Sequence, residues 1–431
     1  MPKPKLKREL GLFSTTLYGI GVILGAGIYA LIGVGAGYAG NMLWLAFLIS
    51  SVIAIFSGLS YAELVSMFPK DAAEYTYTKK AFNKELFSFL IGWILAIGTL
   101  IAASTVALGF GGYFSSLFGI DHKIAAIGLL ALMTFMNYAG IRESANFNNF
   151  SSLLEAGGLL VVVGAVFLIA RPTAEVNLLE FPVSGFPGVI AAISVIFFAY
   201  IGFENIANLA EEVKDSRNVI PKALVLSLLI STILYILVSI AAVSEIPYAQ
   251  LAESKAPLTL VVSTALGDYS ALLSIIALFA TGNTVLIFLI VASRILYGMS
   301  KGGSLPKFFS SVGERGTPYY SVFIVGTAAI LIAYATDIKT VAQLADLGVF
   351  IAYLAVNAAL IALAGTHIGE RRFQSPRLFN IPVLAVLGAL SSIFMLYHFG
   401  LELWAMEIVV IVVGAAFYFF NKKSQHHPAS A

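Results

Sequence analysis

The sequence predicts an all-α integral membrane protein of about twelve transmembrane helices. Three observations predict it: very low charge, repeated apolar runs of span length, and a one-sided distribution of basic residues. Of 431 residues, 59% are hydrophobic and only 11% are charged, and the mean hydropathy is +0.92. A soluble domain needs roughly a quarter of its residues charged, so this chain cannot solvate the outside of a globule. It can face lipid.

Runs of about 20 apolar residues cross the hydrocarbon core as helices. Twelve such runs are present, near 11–36, 42–67, 86–117, 124–140, 149–170, 187–210, 222–245, 268–298, 320–336, 344–366, 381–398 and 401–420. The connections are mostly too short to fold separately, so one membrane domain uses nearly the whole chain. With the N-terminus placed in the cytoplasm, 21 of the 25 Lys and Arg residues fall on the inner side. Lys123, Arg171, Lys255 and Lys339 make up the outer side. Basic residues accumulate in cytoplasmic loops, and this partition supports twelve helices with both ends inside. The first run follows Lys3, Lys5, Lys7 and Arg8, but it is too long for a signal-peptide core and reads as a retained span. The chain contains no cysteine, which excludes disulfides, thiolate metal sites and a catalytic thiol and fits a prokaryotic plasma membrane. A net charge of +2 suggests no nucleic-acid partner. The histidines show no metal-ligand spacing, and no cofactor is implied.

The first span reads Gly19-Ile20-Gly21-Val22-Ile23-Leu24-Gly25-Ala26-Gly27-Ile28-Tyr29. Each glycine weakens a helix by roughly 1 kcal/mol relative to alanine. Close helix packing is the simpler explanation for small residues in a membrane helix. A second interruption changes the balance: the sixth span reads Phe197-Phe198-Ala199-Tyr200-Ile201-Gly202-Phe203-Glu204. First and sixth are equivalent positions of two five-helix halves, and paired interruptions mark the binding site of a transporter built from inverted repeats. Unwinding a helix at the bilayer centre frees N–H and C=O groups that need partners. An amino acid offers both kinds. Its carboxylate accepts from N–H groups at the start of a half-helix, and its ammonium donates to carbonyls at the end of another.

These segments resemble the amino acid–polyamine–organocation (APC) superfamily. The resemblance also covers Tyr61-Ala62-Glu63-Leu64, Glu211-Glu212-Val213-Lys214, Arg217-Asn218-Val219-Ile220-Pro221 and Ser293-Arg294-Ile295-Leu296-Tyr297-Gly298-Met299, continuing through Gly302, Leu305 and Pro306. It implies a leucine-transporter-like core of five helices plus five inverted helices, discontinuous at the first and sixth, followed by two peripheral helices. The boundaries expected are a cytoplasmic tail at 1–10, a core at 11–366 with repeats near 11–170 and 187–366, peripheral helices at 381–420, and a tail at 421–431. It also implies an amino-acid permease working by alternating access. Carried over, Gly25, Ala26 and Gly27 offer N–H groups to the substrate carboxylate, with Ile28 beside them. The carbonyls of Ile23, Phe198, Ala199 and Ile201 receive the ammonium, and Phe198 is the lid. One departure stands out: where members carry Gly-Gly after the proline that ends the second span, Pro69 is followed by Lys70-Asp71-Ala72-Ala73.

Energy coupling turns on Glu155, which the sequence places about two turns into the fifth span. An ionised carboxylate there costs several kcal/mol, so an intramembrane Glu is functional by default. It takes a proton when dry and releases it when wetted, which is what proton symport needs. In proton-coupled relatives the resembling position is a lysine, so the acid is a second departure. Alternatives are a sodium ligand, with Thr281, Asn283 and Thr284 as further oxygen donors, or a carboxyl held by Ser, Thr or Asn partners. Glu204 reads as a paired structural acid, an inner gate, or a group favouring cationic substrates. Glu63 and Arg142 are expected to pair across the inner face. The inner-loop charges from Glu211 to Arg217 read as structural.

Together these readings predict a secondary transporter that imports amino acids across the plasma membrane with a proton. Ile23, Ala26, Phe198 and Ile201 suggest a small apolar pocket and a neutral side chain. The alternatives are an amino-acid exchanger or an amine or polyamine transporter, and, more remotely, a channel or a nutrient sensor. An enzyme is not expected, because the spans contain no His-Glu-x-x-His motif or paired aspartates.

Overall fold

The computed structural model describes residues 6–170, 176–254, 256–267, 270–335, 338–366 and 370–426, without the side chains of residues 26, 30, 116, 270, 338–343 and 423–426. The helices in chain order are α1 (Leu12–Ala39), α2 (Leu43–Met67), α3 (Ala73–Phe82), α4 (Glu85–Phe118), α5 (His122–Ala139), α6 (Ile141–Gly164, continued by a wider turn to Ala170), α7 (Phe186–Ile196), α8 (Ser216–Glu245), α9 (Tyr248–Glu253), α10 (Pro257–Leu266), α11 (Ser270–Lys301), α12 (Tyr319–Ala335), α13 (Ile338–Ala362), α14 (Val383–Tyr397) and α15 (Leu401–His426). A two-residue hairpin, β1 (Arg377–Leu378) with β2 (Ile381–Pro382), precedes α14.

Among the described residues, each apolar run of the sequence lies mostly on helix. Among the described residues, nine stretches are long and apolar enough to cross a membrane. The other three runs lie on α5, α12 and α14, of 18, 17 and 15 residues. The 17 residues of α12 rise about 25 Å. Exposed Leu168, Ile233, Leu331, Leu401 and Phe420 would be costly in water, and their place is against lipid. The chain is an all-α, multi-pass integral membrane protein.

The most extensive helix interfaces pair α4 with α11 and α2 with α8, and α1 with α7 and α5 with α12 also touch. These are the third with the eighth, second with seventh, first with sixth and fourth with ninth runs.

The basic loops gather on one face. Lys214 N–H donates to Leu10 O at 2.8 Å, and Glu9 and Leu10 N–H both reach Glu212 O. Lys301 pairs with Glu211 at 2.7 Å, Arg217 lies 4.0 Å from Glu370, and Lys422 lies 3.9 Å from Glu85. The described beginning and end of the chain therefore share this basic face. The opposite face joins Trp44 Nε1 to Leu178 O at 2.9 Å and Lys123 to Tyr334 O at 3.2 Å.

Two ion pairs are buried near the basic face. Arg294 holds Glu212 with two hydrogen bonds, 2.8 and 3.1 Å, both residues fully buried, and also donates to Asn137 Oδ1 at 2.9 Å. Glu63 receives Arg371 at 3.1 Å, Arg377, and the Ser375 hydroxyl at 2.6 Å. The expected Glu63–Arg142 pair does not form. The loop after α13 folds back over the end of α2 and brings its own arginines, while Arg142 lines a groove with Lys7, Glu143 and Arg315.

The segment after Pro69 is not a plain loop. Ala72 takes a left-handed conformation (φ 53°), and α3 starts at Ala73, whose N–H donates to Asn208 Oδ1 at 2.8 Å. A side chain thus occupies a backbone conformation that glycine adopts more readily.

Candidate substrate site at the two helix breaks

Gly25 interrupts α1 with non-helical dihedrals (φ −21°, ψ −148°). A Cβ there would collide with the hydroxyl of Thr284 on α11, so the break is held against that helix and only glycine fits. The sixth run breaks in two steps. α7 tightens to a 3-10 turn over Phe197–Tyr200, then Ile201 is extended (ψ 135°) and Gly202 has φ 121°, before a second 3-10 stretch over Phe203–Leu209. The two breaks touch: a Cβ on Gly27 would lie 2.8 Å from Ala199 Cα. Both interruptions read from the sequence are present, and they meet.

Freed carbonyls need donors. Tyr235 of α8, fully buried, supplies one: its hydroxyl reaches Ala199 O at 2.9 Å and also Ile23 O. One phenol therefore bridges the two broken helices. Its ring packs on Phe47 and Tyr200, both at 5.2 Å between centroids. Phe198 O accepts from Ile201 N–H at 3.1 Å. Of the four carbonyls expected for the ammonium, two share the one Tyr235 proton and a third has the Ile201 N–H, and each oxygen keeps a second lone pair.

A cavity opens at this junction. It is lined by Val22, Ile23 and Gly27 of α1, Phe198, Ile201, Glu204 and Asn205 of the broken sixth span, Thr99, Ala102 and Val106 of α4, Thr284 and Phe288 of α11, and Ala345, Asp346 and Val349 of α13. Of the residues expected at the site, Ile23, Gly27, Phe198 and Ile201 line it. Gly25 stands behind Thr284, Ala199 is buried against Gly27, and Ile28 is fully buried away from the cavity. The Ala26 side chain lies outside the described residues.

Glu204 satisfies the break from within. Its Oε2 accepts from Gly202 N–H at 2.9 Å and from the Tyr353 hydroxyl at 2.6 Å. Below it Tyr61, Phe203 and Tyr353 stack at 5.2–6.0 Å, with Tyr77 of α3 at 6.2 Å from Tyr61. Such pairs are worth about 0.5–1.5 kcal/mol each beyond their burial.

Glu155 is fully buried, and neither carboxylate oxygen has a hydrogen-bond partner. The reading in which Ser, Thr or Asn side chains hold it does not match this geometry. α6 begins at Ile141, so Glu155 sits about 21 Å along the helix. Around the interface of α1, α6 and α11, Tyr29 Oη, Asn148 Nδ2, Ser151 Oγ and Asn283 Oδ1 are likewise buried without partners. Thr281 and Thr284 hydroxyls donate to Ala277 O and Ala280 O of their own helix, at 2.7 and 3.0 Å. Asn283 donates to Ser152 Oγ at 3.3 Å.

Sequence reasoning passed over two residues, Tyr235 and Asp346. Each is a polar side chain inside a mostly apolar run, which is the signal the sequence offers.

A bundle of apolar helices, two of them broken face to face over a buried cavity, is the architecture of a secondary membrane transporter. Residues 10–420 match the amino acid permease family, and the chain belongs to it, within the APC superfamily. It is 32% identical over 415 residues to the branched-chain amino acid permease BcaP of Bacillus subtilis, covering 91% of this chain and 87% of that one. It is 30% identical over 414 residues to the methylthioribose transporter of the same organism, covering 91% and 88%. It is 29% identical over 368 residues to cationic amino acid transporter 3, mitochondrial, of Arabidopsis thaliana, covering 80% of this chain and 60% of that one. The chain is a transporter, not an enzyme.

Proposed function

We propose that the chain imports amino acids across the plasma membrane of a prokaryote, coupled to protons, with both termini in the cytoplasm. The observation that carries this reading is the meeting of the two helix breaks, Gly27 against Ala199, at the edge of a buried cavity. The N–H groups of Gly25, Ala26 and Gly27 take the carboxylate. The ammonium is received by the remaining lone pairs of the Ile23, Phe198, Ala199 and Ile201 carbonyls, and Phe198, half-buried at the cavity, is the lid.

Glu155 is the proton carrier in this scheme. A carboxyl without donors is stable in such a place only when protonated, and water admitted from one side would release the proton to that side. The sodium reading rests on the unpartnered oxygens of Asn283 and Ser151 in the same interface. Reconstituted in vesicles, the parent should accumulate labelled amino acid when the inside is alkaline, and should do so without preloaded substrate. Glu155→Gln should abolish accumulation while counter-exchange stays measurable. Equal accumulation by the variant refutes the role of Glu155, a response to a sodium gradient alone favours the second reading, and dependence on preloading makes the protein an exchanger.

The expectation of a neutral side chain rests on Ile23, Phe198 and Ile201, which do line the cavity. Glu204 and Asp346 line it too, and a basic side chain is favoured by that observation. The cargoes for which the relatives are named differ in their side chains, and methylthioribose has no α-amino acid group, so selection belongs to the cavity wall rather than to the common frame.

A further inference from the structure

We propose that Asp346 is the residue that selects the substrate side chain, and that it selects one carrying a positive charge, as in basic amino acids. The inference rests on the amino-acid reading above and adds the substrate class. Asp346 stands on α13 and lines the cavity together with Gly27 and Ile201 from the breaks. An amino acid held by its backbone at the breaks therefore points its side chain into a space that Asp346 borders.

The two acids of the cavity differ in what they lack. Glu204 already accepts from Gly202 N–H and the Tyr353 hydroxyl. Asp346 Oδ1 is buried without any hydrogen-bond partner, and among the described residues no Lys or Arg lines the cavity to neutralise it. A carboxylate in such surroundings is costly unless a donor, best a charged one, reaches it. Gly98, Thr99 and Ala102 of α4 line the cavity with Ala345 and Val349 of α13, and of these only Thr99 carries a side-chain donor. Gly98 carries no Cβ where α4 faces Ala345, and a Cβ built there would lie 3.7 Å from Ala345 O. The wall beside Asp346 is therefore mostly apolar, suited to the methylene stem of a basic side chain with its cation at the carboxylate.

Purified protein in lipid nanodiscs would be titrated with lysine, leucine and cadaverine, following binding by thermal shift. Lysine should bind the parent more tightly than leucine. The lysine-to-leucine affinity ratio should fall roughly tenfold or more in Asp346→Asn and be largely kept in Asp346→Glu. A parent that prefers leucine, or a ratio unchanged in Asp346→Asn, overturns the assignment. Because the readout is a ratio of two ligands on one sample, a partly unfolded variant cannot imitate it. Cadaverine has the cations of lysine without its carboxylate and should bind at least tenfold more weakly; equal binding overturns the amino-acid reading itself. So does a parent that neither lysine nor leucine shifts.

Discussion

Tyr235 offers the sharpest test of the broken-helix frame. In a regular α1 the Ile23 carbonyl would accept from Gly27 N–H, across the non-helical dihedrals of Gly25. Tyr235 offers its hydroxyl to that carbonyl and to Ala199 O. Tyr235→Phe keeps the ring on Phe47 and Tyr200 and deletes only the bridge. A buried acceptor left without its donor costs about 1–3 kcal/mol. With two acceptors sharing one hydroxyl, a loss of about 2 kcal/mol is expected, or a fall in melting temperature of roughly 2–5 °C for a chain of this size. The assay is thermal unfolding of detergent-purified protein with and without saturating substrate. If the ammonium donates to these carbonyls, it supplies what the variant lacks, so substrate should raise the melting temperature of Tyr235→Phe more than that of the parent. An unchanged melting temperature without substrate refutes the bridge. A substrate-induced rise equal in both proteins refutes the use of these carbonyls by the ammonium.

Three further outcomes are expected. Gly27→Ala places a Cβ 2.8 Å from the Ala199 backbone, which cannot move aside as a side chain can. Uptake should fall at least roughly tenfold, whereas Gly128→Ala, with nothing within 4 Å, should transport as the parent does. Arg294→Met leaves Glu212 buried and unpaired and should cost about 3–5 kcal/mol; adding Glu212→Leu should restore most of it, and a double variant no more stable than the single one contradicts this. Glu74 lies on α3, outside the spans, and burial pushes its pKa up to about 7, Glu204 adding to the rise and Asn208, donating at 3.1 and 3.3 Å, opposing it. The folded protein holds that proton more tightly than the unfolded chain, where the value is near 4.5. The parent therefore loses stability as pH rises from about 4.5 through about 7, by up to about 3 kcal/mol. Glu74→Gln should melt above the parent at pH 8 and no higher at pH 5, and parallel pH curves for the two proteins would contradict this.

What was legible in the sequence divides along a physical line. Spans, their breaks and the basic face follow from composition within a window of about 20 residues, because lipid imposes its demands on each helix separately. Gly25, Gly27 and Gly202 could be read as a break since a helix interior penalises them wherever it sits. The Glu63–Arg142 pairing failed for the opposite reason: a surface pair depends on how a loop folds, and the segment with Arg371 and Arg377 arrives from more than 300 residues away.

Tyr235 and Asp346 show where such reading stops. Each is a polar residue in a mostly apolar helix, and what it serves lies elsewhere in the chain: Tyr235 is 212 residues from Ile23. The backbone cradle is local in sequence, so its residues announce themselves by spacing. The walls that see the side chain come from α4, α11 and α13, and only folding brings Thr99, Thr284 and Asp346 to one cavity. A permease can therefore keep its cradle and change its cargo by substituting one residue on one of these walls, without disturbing a break. On that argument, Asp346 can be exchanged more freely than Gly27, which has backbone packed against it. Cargo preference should then follow the residue at position 346, while the capacity to bind any amino acid follows the glycines of α1.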